Sequence, residues 1–181
     1  METIISLLRG INVGGNNRLP MRDLVAILQA MDLRSVQTYI QSGNVVFQTD
    51  QTSLPELAHE IGAAIGESHG FTPQVLLLRL VELETAVTRN PFPEAQTDHK
   101  TLHFYFLESV PPAPDLALLA ALKTERERFQ LIDKVFYLHA PDGIGRSKLA
   151  EKVEKALGVA TTARNWRTVS KLMEMGTAVT D

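Results

Sequence analysis

The chain has 181 residues, of which 44% are hydrophobic and 22% charged, with a formal net charge of −3. That length suits one ordinary globular domain or two small ones sharing a core, and the balance excludes disordered and collagen-like classes. Zero cysteines remove disulfides, thiolate nucleophiles and cysteine-based zinc sites together.

No stretch approaches the run of roughly eighteen apolar residues that a membrane helix needs. Met1-Glu2-Thr3 leads straight into Ile4-Ile5, without the basic region of a secretory leader. A cytoplasmic protein with no membrane partner is therefore expected. The near-neutral charge gives no global attraction to nucleic acid, so any anion site must be local.

Residues 3–8 form a first predicted strand. The Gly/Asn-rich loop from Gly10 to Asn17 follows, and Pro20 opens a helix whose Met21, Leu24, Val25, Leu28 and Met31 share one face. Two strands are predicted over 35–40 and 44–49, broken by Gln41-Ser42-Gly43. Ser53 and Glu56 have capping-box spacing at the start of a helix that stops at Gly70, and residues 75–78 form a fourth strand.

The second half opens with a short helix over 81–89, then a strand over 102–107. A Pro-rich connector leads to a helix over 115–126, paired strands over 129–132 and 135–139, and helices over 147–157 and 163–175. The order βαββαβ is that of the ferredoxin-like fold. The expectation is an α+β protein of two tandem ferredoxin-like lobes, residues 1–80 and 81–181. The second lobe is read as incomplete and followed by a C-terminal helix. One continuous mixed sheet is the alternative.

Three polar loops could carry function. In the first, Arg9, Asn12, Gly14 and Gly15 precede a helix whose first N–H groups lack partners, the ingredients of an anion cradle. It is neither a GxGxxG nor a Walker A sequence, so no nucleotide class follows. The same residues also suit a tight turn in which the asparagines bond their own backbone. The second, Asp142 to Lys148, puts Arg146, Ser147 and Lys148 at a helix start, where cations oppose the helix dipole. The third runs from Thr161 to Arg167. There Thr161 or Thr162 is expected to cap a helix carrying Arg164 in its first turn, with Trp166 on the apolar stripe.

Catalytic sets are not legible. Ser42 and Ser147 lack a nucleophile elbow, and the spacing of His99 and His103 does not bring two rings together on a strand. No metal site and no cofactor are expected.

The segments LLRGINVGGNN, YIQSGNVVF, GRSKL and TARNWRTVSKL, in this order along nearly the whole chain, resemble the bacterial domain-of-unknown-function family 1697. The resemblance implies an α+β fold of paired ferredoxin-like lobes and no established reaction. Where that family often has a lysine after the paired glycines, this chain has Asn16-Asn17-Arg18, so the resemblance implies that the charge contact is either lost or passed to Arg18.

The leading functional expectation is a site for a small anionic or phosphate-bearing ligand. Arg9, Arg146, Lys148 and Arg164 would supply charge; Asn12, Ser42, Asn44 and Asn165 would supply directional hydrogen bonds, with Gly14, Gly15 and Ser147 shaping the loops. A nucleic-acid module is disfavoured, because the first predicted strand offers Ile4, Ile5, Leu7 and Leu8 and the third only Phe47 after Asn44, Val45 and Val46, which is no stacking platform. A protein-interaction scaffold remains the third reading, and nothing in the sequence fixes an oligomeric state.

Overall fold

The computed structural model describes residues 1–180. In chain order its elements are β1 (Glu2–Arg9), α1 (Met21–Ala30), β2 (Arg34–Tyr39), β3 (Asn44–Thr49), α2 (Leu54–His69), β4 (Gln74–Arg79) and α3 (Leu80–Thr88). A 3-10 turn (Pro93–Thr97) leads to β5 (Leu102–Leu107), α4 (Leu116–Leu122), β6 (Arg128–Ile132) and β7 (Val135–His139). The chain then forms α5 (Lys148–Leu157), β8 (Thr161–Asn165) and α6 (Trp166–Thr180). The fold is α+β, with two four-stranded antiparallel sheets ordered β2-β3-β1-β4 and β6-β7-β5-β8.

By packing, residues 1–85 and the C-terminal part of α6 from Ser170 form one unit, and Ala86–Val169 form the other. This grouping differs from a division in sequence order at residue 80. In the first unit, Ile4 and Leu8 of β1 pack with Val45 and Phe47 of β3 beneath Leu24 and Leu28 of α1 and Leu57, Ile61 and Ile65 of α2. Ile5 and Leu7, on the opposite face of β1, are equally buried. A central strand covered on both faces loses the in–out alternation of a half-exposed one, which is why β1 is buried from Thr3 to Leu8, Ser6 included. Part of that cover comes from α6, where a Cβ added at Gly176 would stand 2.6 Å from Leu80 Cδ1 and 3.4 Å from Ile5 Cδ1.

The second unit repeats the scheme. Tyr105 and Leu107 of β5 join Phe136 and Leu138 of β7 under Leu119 of α4 and Leu149, Val153 and Leu157 of α5. Helix ends follow local chemistry. Asp115 caps α4 by accepting from Leu118 N, Ser147 caps α5 by accepting from Ala150 N, and α2 and α5 close on left-handed Gly70 and Gly158.

Four expectations are corrected. The second sheet is complete, because residues 161–165 form β8 along the side of β5 that β7 leaves open. Thr161 and Thr162 are β-branched, and pairing satisfies β5's remaining backbone groups, which outweighs a helix cap. The C-terminal helix accordingly starts at Trp166.

Helix α4 ends at Leu122 because Thr124 and Glu127 form a reciprocal turn. Thr124 N donates to the Glu127 carboxylate and Glu127 N donates to Thr124 Oγ1. Ser53 makes no side-chain cap at α2, which carries a proline in its first turn. Pro20 stands just outside α1 as its N-cap residue, in extended conformation.

Candidate functional site

Six of the candidate residues gather at one end of the first sheet, where β1 finishes and β3 begins. Val13 to Asn16 is a miniature hairpin: Asn16 N donates to Val13 O and Asn12 N to Asn17 O, both at 3.1 Å. Gly14 and Gly15 have φ of +59° and +79°. Two consecutive positive φ values define a type I′ two-residue turn, which glycine pairs suit best. The turn thus accounts for both glycines.

Asn12 fastens this hairpin to the body. Its Nδ2 donates to Leu19 O at 2.9 Å and to Gln41 O at 2.8 Å, while its Oδ1 accepts from Leu19 N at 2.8 Å. Asn17 Nδ2 donates to Gly10 O. Asn44 is fully buried, with Nδ2 donating to Tyr39 O and to Ser42 Oγ. Each of these two amides, Asn12 and Asn44, has both protons engaged by the chain, so their work is to hold the two turns in register. Gly43, at φ +74°, accepts from Leu8 N at 2.9 Å and closes the knot. Arg9 is exposed and donates to Gln74 Oε1.

The other candidates belong to the second unit, at the end of its sheet where β5 begins and β7 and β8 finish. Ala140 N donates to Thr101 O at 2.8 Å and ties the loop leading to α5 to that end. Gly143 lies at φ +82°, Ser147 N donates to Ile144 O, and Ser147 Oγ caps α5. Arg146 and Lys148 are exposed on either side of that cap, and neither makes an ion pair among the described residues.

Arg164 is placed differently from expectation. It stands in mid-strand opposite Phe104, not in a first helical turn. Burial pushes its guanidinium down to about 10, so it stays charged at neutral pH, and Nη1 donates to Ala163 O. Asn165, not Thr161 or Thr162, faces the start of α6, accepting from Thr168 N at 3.1 Å. Thr161 instead donates through its backbone N to the Glu154 carboxylate. Relative to its own first strand, the polar end of the first unit is the finishing end and that of the second is the starting end.

Two features escaped sequence reasoning. His103 on β5 is 7% exposed, its Nδ1 has no hydrogen-bond partner, and burial pushes its pKa down to about 4. Only its neighbours in space could have revealed this. The second is an aromatic row on the other face of the same sheet. Phe104 and Phe106 on β5 and Tyr137 on β7 occupy the central strands, where a base-stacking surface would stand. All three are buried: Trp166 packs on Phe104, and the Tyr137 hydroxyl donates to Ala86 O at 2.7 Å. They are core.

At the β6 edge, Arg128 lies over the Phe92 ring, pairs with Glu94 and donates to His139 Nδ1. The ion pair holds the Glu94 carboxyl below its usual range, while burial and then the Arg128 charge lower His139. No group of three metal-binding side chains occurs among the described residues. No described helix is long and apolar enough to cross a membrane.

The fold is similar to that of a solved structure, the conserved bacterial protein SP0830 from Streptococcus pneumoniae. The two chains share 23% identity, with 97% of this chain and 98% of that one covered, at a TM-score of 0.76. No curated protein matches. A family model described as "Protein of unknown function (DUF1697)" matches residues 1–137, about three quarters of the sequence, and the chain belongs to that family.

Proposed function

We propose that the protein binds a small anionic or phosphate-bearing ligand at the loop that opens α5. One observation carries this reading: Arg146 and Lys148 are exposed, without ion pairs among the described residues, at the positive end of a ten-residue helix. A cation so placed costs roughly 0.3–1 kcal/mol. Glu151 in the first turn offsets part of that. A bound anion reverses the sign, because the dipole, the leading N–H groups of α5 and both side chains then attract one charge. Ser147 Oγ accepts from Ala150 N and keeps its own proton to donate.

The architecture proposed beneath it is a tandem of ferredoxin-like lobes, one built on β1 to β4 and the other on β5 to β8, in a cytoplasmic protein. Its support is the same element order twice over, with the matching sheet orders β2-β3-β1-β4 and β6-β7-β5-β8. Nucleic acid has no part in this reading, since the aromatic row belongs to the core.

Thermal melts of the wild type, Arg146→Ala and Lys148→Ala, with and without phosphate, test the ligand. Both variants should melt at or slightly above the wild type without phosphate and lose the stabilisation that phosphate gives it. Earlier melting of both variants, beside a wild type indifferent to phosphate, would make the two cations structural.

A further inference from the structure

Ile40 combines two properties that folding alone disfavours. It lies at φ +50°, in the left-handed region that a β-branched side chain resists, and it is 52% exposed. Asparagine or glycine would suit that backbone better. Val13, the first residue of the miniature hairpin, is 67% exposed. The two loops that carry them are joined by the Asn12 Nδ2 to Gln41 O hydrogen bond, each of the two residues lying one position from a partner in it. Strain and exposed apolar surface that no core requires mark a contact surface.

Its charge identifies the partner. Residues 9–18 and 39–44 contain Arg9 and Arg18 and no aspartate or glutamate. Every residue from Val13 to Arg18 is exposed, so the hairpin protrudes. Small ligands favour concave sites, whereas a protrusion with apolar anchors and a basic rim suits a polypeptide. Asn12 already holds the hairpin to the β2–β3 turn, so little ordering is needed on binding.

We propose that Val13 and Ile40, rimmed by Arg18, dock an acidic segment of another protein that carries a large apolar side chain. This surface is separate in residues from the anion loop before α5, so either proposal can fail without the other.

The probe is a random peptide library on beads, screened with the full chain; enriched peptides are then measured by fluorescence anisotropy. Enriched sequences should combine Asp or Glu with a large apolar residue. Ile40→Asn should melt roughly 2–4 °C higher than the wild type yet bind the enriched peptide about tenfold more weakly, as a lost apolar anchor does. Arg18→Ala should weaken binding and flatten its salt dependence. No enrichment, a consensus lacking either acidic or apolar residues, or an Ile40→Asn variant that binds like the wild type overturns the proposal. So does a wild-type dimer that Ile40→Asn abolishes, since a second copy would then be the occupant.

Discussion

Gly43→Ala should destabilise the protein by about 2–5 kcal/mol, the sum of a left-handed backbone penalty and an overpacking penalty. The added Cβ would lie 2.6 Å from Leu8 Cβ and 2.9 Å from Ile11 Cδ1. Leu8 Cβ is fixed to the central strand, so it cannot swing aside as a side-chain tip could. Gly14→Ala is the internal control. It has similar backbone handedness but nothing within 4 Å, so only the backbone term of about 1–2 kcal/mol should appear. Urea unfolding of both variants isolates the packing term as their difference. Equal losses would mean that Leu8 and Ile11 give way, and that the β2–β3 turn is not clamped against β1.

Acid should weaken the fold through His103. Its folded pKa is pushed down to about 4 from an ordinary 6.5, chiefly by burial, with a backbone contact at Thr101 offsetting part of the effect. Between those values the unfolded chain binds the proton more readily than the folded one, so stability rises with pH. The contribution is complete above about pH 6.5 and is lost as pH falls toward 4. A shift of this size corresponds to roughly 3 kcal/mol. His103→Leu removes the titrating ring together with the unpartnered Nδ1. It should therefore match or exceed the wild type near pH 5 and flatten the pH dependence in that window. A wild-type stability that is level from pH 7 to 4.5 would contradict the burial argument.

Much of the fold was legible because its elements obey local rules. The 3.6-residue periodicity of Met21, Leu24 and Leu28, the break at Gln41-Ser42-Gly43 and the terminator Gly70 act within a few residues of themselves. The strand at 161–165 was not legible. Thr161-Thr162 before a helical stripe is also a cap signal, and only the open side of β5, more than fifty residues earlier in sequence, decides against it. Likewise, the helix over 115–126 is cut at Leu122 by the Thr124–Glu127 turn, which has capping-box spacing.

The candidate site divides in the same way. Residue types at the first loop stand out in the sequence, but two explanations fit them, and the choice requires hydrogen-bond partners. Asn12 and Asn44 look like ligand groups in sequence and are engaged by the backbone in space. Arg164 looked like a helix-start cation because its strand was not foreseen. Arg146 and Lys148 keep their expected place because the cap at Ser147 is a local feature. Ile40 carried no sequence signal, since its strain lies in a dihedral angle.

The proposed ligand site is tested most directly by following backbone amide resonances while inorganic phosphate is titrated into the full chain. Saturable shifts confined to the amides from Gly145 to Leu149, and lost in the Arg146→Ala, Lys148→Ala double variant, are the predicted result. Shifts that do not saturate, that centre elsewhere, or that persist unchanged in the double variant would contradict it.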